Sequence, residues 1–346
     1  MKAQPMTQTA EMPDGSFRRV SIDEVCRVLT VPANTLILMH RNPDGDAVGS
    51  AFALRCLLEM LGSRAWCLCE GEIPARLRFL SDPVQKSVLP ESVPAGFDAG
   101  RIISVDVASP AQLGGLRPLF EGRVNLMIDH HESGTPFADH YVDGKAAATA
   151  EILFDLLRHL TGNPPVTVTA ELCTDLYAAI SSDTGCFRYS NTTPDTHRRA
   201  AELVASGIDC AAINHRLFDS KPMEILRAEA AGIGNLRCYA GGRVAVIPFS
   251  YAEKTELGLR DEHLETLIDV ARSLCGVEVA ISLRQPKDEP VFRASVRSSG
   301  ACNVATLCEQ FGGGGHAKAA GCTLQAPDID TAVRMLVEAI GNLTEN

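Results

Sequence analysis

Short β-branched runs alternate with helix-spaced apolar positions along most of the chain. TLILMH (35–40) reads as a buried strand, and a helical pattern follows from about Asp46 to Leu61, with Leu54, Leu57, Leu58 and Leu61 on one face. RAWCLC (64–69) is a second strand, and the rhythm resumes with RIISVD (101–106), a helix after Ser109, VNLMID (124–129) and a long helix from about Ala146 to Leu160. Strands that alternate with helices predict βαβ units, and hence an α/β fold built on a mostly parallel, doubly wound sheet. In such sheets ligands gather outside the carboxyl ends of the strands.

The pattern changes near Thr167. AELCTDLYAAI, PDTHRRAAELVAS and PMEILRAEAAG are three amphipathic helical segments with no strand between them. A second strand-rich block then runs through RVAVIPF (243–249), GVEVAISLRQ (276–285) and PVFRASVRSS (290–299) to a helix near Asn303, a glycine run, the strand GCTLQA (321–326) and a last helix. These shifts predict a polar, flexible arm over 1–17, a first α/β domain over 18–200, a helical connector over 201–240 and a smaller α/β domain over 241–346.

At 346 residues the chain is long enough for two cores. It carries no apolar run long enough to span a bilayer and no leader-like start, so a cytoplasmic protein without a membrane partner is expected. The twelve cysteines are scattered without a CxxC pair, which predicts reduced, mostly buried thiols. A net charge of -11 argues against coating long nucleic acid through a broad basic face, while leaving room for a small anion held by metal and a few cations.

Chemistry concentrates at the ends of the apolar runs. His40, Asp44 and Asp46 leave the first strand in MHRNPDGDAVGS, where Gly45 lets the backbone turn between two carboxylates, although PDGD is also ordinary turn chemistry. Asp106 ends RIISVD, Asp129-His130-His131 ends VNLMID, and Asp183 ends an apolar helix. The topology brings all four clusters to one rim. Carboxylates crowded there repel one another unless cations are present, and two divalent ions resolve the conflict. A donor set rich in oxygen with a minority of imidazole suits Mn2+ or Mg2+ and leaves room for Co2+, Fe2+ or Zn2+; Mn2+ is the expected ion, with Mg2+ or Co2+ next.

These four ordered motifs, together with FGGGGHAKAAG at 311–321, resemble the DHH phosphoesterases over nearly everything after the arm. HRNPDGDAVGS, SDTGCFRYSNT and RSSGACNVATL are most similar to the branch of oligoribonucleases that also dephosphorylate 3′-phosphoadenosine 5′-phosphate (pAp). The resemblance implies one ion on His40, Asp44 and Asp106 and a second on Asp46, Asp106, His130 and Asp183, with Asp106 shared. It implies further that His131 stays free of metal and either hydrogen-bonds the scissile phosphate or assists the leaving oxygen, oriented by Asp129. Water activated by the two ions would attack phosphorus in line.

For substrate contacts the resemblance points to Gly313, Gly314, Gly315 and His316, whose backbone can approach an anion closely, though a glycine run is also a turn by composition. Arg293 and Arg297 share a strand face; Arg297 is preferred because it leads into the family-like RSSG, and Arg188 is a weaker candidate. His140, His159, His197, His215 and His263 form no ligand-like group and are expected at the surface or in loops. One departure stands out: Gly134 occupies a position where relatives usually carry asparagine.

The implied substrates are short single-stranded RNA and pAp, with a homodimer compatible with the sequence. The competing readings are a phosphodiesterase for cyclic-di-AMP or linear pApA and pGpG, and a catalytically inactive nucleic-acid-binding scaffold.

Overall fold

The computed structural model describes residues 17–81, 85–161 and 168–344. Residues 1–16 of the expected arm lie outside them. The chain divides into two compact units, Met1–Ser220 and Lys221–Asn346.

The first unit runs α1 (Ile22–Thr30), β1 (Asn34–Leu38), α2 (Gly45–Met60), β2 (Arg64–Leu68), β3 (Arg101–Val105), α3 (Arg117–Phe120), β4 (Leu126–Asp129), β5 (Asp139–Val142), α4 (Thr149–Thr161), α5 (Ala170–Asp183), α6 (Pro194–Ala205) and α7 (Cys210–Asn214). α1 starts at a capping box, in which the Ser21 hydroxyl accepts the Glu24 amide and the Glu24 carboxylate accepts the Ser21 amide. The five strands are all parallel, in the order β2-β1-β3-β4-β5. The order therefore reverses between β1 and β3, which opens a crevice at their carboxyl ends.

Period-two alternation divides the strand residues between two cores. Ile37, Met39, Ile103, Val105 and Ile128 join α2, α4 and α5 on one face, while Leu36, Leu38, Ile102 and Met127 join Leu113, Leu116 and Phe120 on the other. The sheet is thus covered on both faces, as its continuous apolar runs require.

α2 is apolar on nearly all sides and lies buried. Its approach to α5 depends on glycine. A Cβ on Gly45 would overlap Ser182, and one on Gly49 would stand 2.5 Å from the Asp175 carbonyl oxygen and 2.8 Å from Ala179 Cβ. Those two glycines bring the start of α2, with Asp46, against the end of α5, with Asp183.

Three local expectations change. The helix after Ser109 is mostly a 3-10 segment, Pro110–Leu116, broken at Gly114 (φ 58°, ψ -127°) before the short α3. α4 begins at Thr149 rather than Ala146, because the preceding turn aims its first amides at Asp46. α1 and β5 form where the sequence pattern marked no element.

The second unit runs α8 (Met223–Asn235), β6 (Arg237–Tyr239), β7 (Val244–Phe249), α9 (Tyr251–Glu256), α10 (Leu267–Arg272), β8 (Val279–Arg284), β9 (Val291–Ser298), α11 (Val304–Glu309), β10 (Gly314–His316), β11 (Ala319–Gln325) and α12 (Ile329–Thr344). Its six-stranded sheet has the order β10-β11-β9-β8-β7-β6, and only the β7–β8 pair is parallel. α11 and α12 pack on one face around Val246, Ile281, Phe292 and Val296. On the other face α8 and α10 pack on β7 and β8 around Ala245, Ile247, Phe249 and Ala280.

Residues 201–240, expected as a connector, divide between the units. Asn214 accepts the Ser181 hydroxyl at 2.6 Å and donates to the Tyr177 hydroxyl at 3.1 Å, which ties α7 to α5. Asn235 at the end of α8 donates to the Pro248 carbonyl at 3.1 Å in the second unit.

All twelve cysteines are free thiols; six are buried, four half-buried and two, Cys238 and Cys275, exposed. His263 is buried rather than superficial, since its Nδ1 accepts the Arg260 amide at 3.1 Å and closes a 3-10 turn. No helix among the described residues is long and apolar enough to cross a membrane.

Candidate metal centre

The candidate acidic and imidazole groups lie where strands and helices of the first unit end or begin at the crevice. His40 follows β1, Asp44 caps α2 and Asp46 lies in its first turn. Asp106 follows β3 with φ 58°, a left-handed conformation that turns the chain sharply at the strand end while its amide still donates to the Ile128 carbonyl at 3.0 Å. A non-glycine residue there stores strain of order 1 kcal/mol, a cost that clusters at functional sites. Asp129 closes β4, and Asp183 closes α5.

The side chains converge on two positions that share one carboxylate. His40 Nε2 lies 3.9 Å from Asp44 Oδ1 and 3.7 Å from Asp106 Oδ2. His130 Nε2 lies 3.6 Å from Asp106 Oδ1, 3.9 Å from Asp46 Oδ2 and 3.7 Å from Asp183 Oδ2. Asp106 thus presents a different oxygen to each histidine. In each of the sets His40–Asp44–Asp106 and Asp46–His130–Asp183, the candidate donor atoms lie within 4.8 Å of one another.

Remote parts of the chain fix these groups. Asp46 accepts the amides of Thr149 at 2.6 Å and Ala150 at 3.1 Å, so its carboxylate sits on the positive end of α4, and the Ser50 hydroxyl adds a third bond at 2.9 Å. The Thr149 hydroxyl donates to Asp106 at 3.1 Å. His130 Nδ1 meets the Ala146 carbonyl at 3.2 Å, which puts the proton on Nδ1 and leaves the Nε2 lone pair facing the carboxylates. Thr149, Ala150 and Ala146 were missed by sequence reasoning. Their contacts span 16 to 104 residues, and nothing local in SGTPFADHYVDGKAAATA marks them.

The electrostatics ask for cations. Burial, then the charges of Asp46 and Asp44, with smaller contributions from Asp129 and Asp183, push the Asp106 carboxyl well above the usual carboxylate range. Asp183 is pushed up by burial and by Asp46 and Asp44. Asp46 rises chiefly through burial, with Asp44 adding to it, against His130, the Thr149 amide and Ser50. At Asp44 the cost of desolvation is outweighed by His40 and the amides of Ala47 and Asp46, which hold its carboxyl low. A site that crowds three carboxyls into this state, with the imidazoles of His40 and His130 beside them, has the donor chemistry of a divalent-cation centre.

His131 is differently placed. Its Nδ1 lies 3.7 Å from Asp106 Oδ1 but is bonded to Asp129 Oδ1 at 2.8 Å, and the same oxygen accepts the amides of His130 at 2.8 Å and His131 at 3.3 Å. Burial alone would lower the imidazole pKa; the Asp129 bond, with Asp183 and Asp46 nearby, outweighs it and raises the value. Arg188 is held by its own loop and by an aromatic ring. Its Nε donates to the Gly185 carbonyl at 2.6 Å, and its guanidinium lies over the Phe218 ring.

The remaining expected residues lie in the second unit. Arg297 on β9 pairs in register with Ala280 and Ala319, and Ala319 in turn pairs with His316. One Arg297 amine donates to the Val296 carbonyl at 3.1 Å. Arg293 lies on the same face, beside Thr323. The glycine run passes from a turn at Gly312 into β10 at Gly314, and its members differ. A Cβ on Gly313 would overlap the Gly321 carbonyl and stand 2.6 Å from Cys322 Cβ; on Gly315 (φ +143°) it would stand 2.6 Å from the Ala319 oxygen; on Gly314 it would meet nothing within 4 Å. Gly134 is also dictated locally, since a Cβ there would stand 2.5 Å from the Ala108 carbonyl oxygen.

Comparison with known proteins identifies the family of both domains. The model of the DHH family N-terminal domain matches residues 34–180, and that of the DHHA1 domain matches 243–342. The bifunctional oligoribonuclease and PAP phosphatase NrnA of Thermus thermophilus is 34% identical over 305 residues, 88% of each chain. The cyclic-di-AMP phosphodiesterase GdpP of Bacillus subtilis is 24% identical over 341 residues, 94% of this chain and 50% of that protein. Among solved structures, an exopolyphosphatase-related protein from Bacteroides fragilis superposes with a TM-score of 0.84 at 22% identity, covering 93% of this chain and 95% of that one. The chain belongs to the DHH family of phosphoesterases, with a DHHA1 domain following the DHH domain.

Proposed function

We propose that the protein hydrolyses short oligoribonucleotides to mononucleotides and converts pAp to AMP, in the cytoplasm, with Mn2+ as its ion. The observation that carries this reading is the pair of donor sets joined through Asp106, in a chain similar along most of its length to an oligoribonuclease and PAP phosphatase. One ion would be held by His40, Asp44 and Asp106, the other by Asp46, Asp106, His130 and Asp183. Such ions supply Lewis acidity, which activates water and offsets the charge that develops on the phosphoryl oxygens.

The chain's own residues do the rest. Asp129 holds a proton on His131 Nδ1 and so fixes the ring. The Asp129 bond favours the protonated ring, so a proton on Nε2 would be donated to a phosphate oxygen or passed to the leaving oxygen. The α4 amides hold Asp46, and the Ala146 carbonyl holds His130, so neither ligand has to reorganise when substrate arrives. In the second unit, Arg297, His316 and the Gly313–Gly315 backbone bind a phosphate of the substrate, and Arg188 assists in the first.

The test is a product time course with Mn2+ on 5′-labelled RNAs of about two to ten nucleotides, alongside pAp and pApA. Release of mononucleotides from the shortest RNAs and of phosphate from pAp is expected; turnover of neither overturns the reading. The cyclic-dinucleotide alternative is not favoured, because the likeness to GdpP is weaker and this chain spans only half of that protein.

A further inference from the structure

Beside His131 the first unit holds a cavity of about 290 Å³, near the lower end of the range for small-ligand sites. Pro136 and Val142 give it apolar surface; Arg19, Glu132 and His140 give it polar groups. Arg19 is tied to the wall, where its Nη2 donates to the Val142 carbonyl at 2.8 Å. Glu132 lies directly over Gly144: a Cβ on Gly144 would overlap the Glu132 side chain and stand 2.6 Å from its Oε1. The glycine lets the backbone pass beneath this one side chain.

Glu132 is exposed and, among the described residues, makes no hydrogen bond or ion pair, so its carboxylate is free to meet a ligand that enters the cavity. A lone carboxylate next to a centre that handles polyanions repels its substrate unless the substrate brings donors to it. Phosphate oxygens bring none. The donors closest to a scissile phosphate are the hydroxyls of the flanking ribose, and the 2′-hydroxyl is the group that separates RNA from DNA. We infer that this cavity receives a nucleoside flanking the scissile phosphate, with Glu132 accepting from its ribose hydroxyl and so favouring RNA over DNA.

The inference rests on the hydrolase reading above and is tested separately from it. kcat/KM is measured with Mn2+ for pApA and its all-deoxy counterpart pdApdA, using wild type, Glu132→Ala, Glu132→Gln and Gly144→Ala, with melting temperatures as the check on folding. Where pdApdA turnover is below detection, its inhibition constant against pApA supplies the comparison. Glu132→Ala is expected to lose on the order of tenfold or more on pApA and little on pdApdA, so that the ribose preference collapses. Glu132→Gln keeps an acceptor oxygen and recovers part of it, while Gly144→Ala displaces the carboxylate and follows Glu132→Ala. A ribose preference equal to wild type in both Glu132 variants, or equal losses on both dinucleotides, overturns the inference. A wild type inactive on every nucleotide substrate sinks the hydrolase reading instead.

Discussion

Under the proposed function the two units would meet anions in opposite ways. The centre of the first is made of side chains: four aspartates and three histidines delivered by strand ends and helix termini, with three carboxyls pushed out of their usual range. The hairpin of the second is made of backbone, where two glycines are required by packing and Gly314 faces open space. The difference teaches where substitution is informative. Removing a functional group tests the first unit; adding a methyl tests the second.

The largest effect is expected at the shared ligand. Asp106→Ala should lower kcat on both RNA dinucleotides and pAp on the order of a thousandfold, read by initial rates at saturating Mn2+; a variant within tenfold of wild type would end the shared-carboxylate picture.

Next comes the pH response of metal-free protein. The carboxyls of Asp46, Asp106 and Asp183 titrate above their unfolded values, and so does the His131 imidazole. The native state therefore binds more protons than the unfolded chain. Stability should fall as pH rises through the raised values, so the melting temperature in EDTA should climb as pH is lowered from about 8 to about 6. Saturating Mn2+ should reverse that slope, because ligation needs the deprotonated groups. Melting curves with the same slope in both conditions would contradict the electrostatic account.

The hairpin offers a sharper contrast. Gly313→Ala meets the Gly321 carbonyl and Cys322 and should destabilise the protein by about 1–3 kcal/mol. Gly314→Ala should leave thermal stability unchanged and raise KM, because its methyl would enter the open space that the proposed function assigns to substrate. Equal stability losses at both positions would erase the distinction between packing and binding glycines. The smallest effect is expected far from either site: Ser21→Ala removes the cap of α1 and should cost about 1 kcal/mol in denaturant unfolding, with kcat unchanged.

Much of the candidate centre was legible because most of its donors sit where a strong apolar run ends, so that topology alone carries them to the crevice. His40, Asp106, Asp129 and Asp183 all mark the point where a buried element ends. The supports were not legible. The amides that hold Asp46 come from more than a hundred residues away, and an amide leaves no trace in residue type. The second unit was harder for the same reason. Four identical residues in a row say nothing about which faces Cys322 and which faces solvent. β5 escaped notice because DHYV is half-buried at a sheet edge and lacks an apolar run. His263 reads as a surface residue until the turn it closes is seen.

The two-sided placement of Asp106 has a kinetic and thermodynamic consequence. Under the proposed ligation the two cation positions cannot fill independently, because they draw on the same carboxyl group. The first ion to arrive must displace the proton that crowding keeps there, and in doing so it prepares the free oxygen for the second. Loading should release protons, most of them with the first equivalent, and the uptake curve should steepen as pH falls. The enzyme would then count metal in pairs rather than one by one.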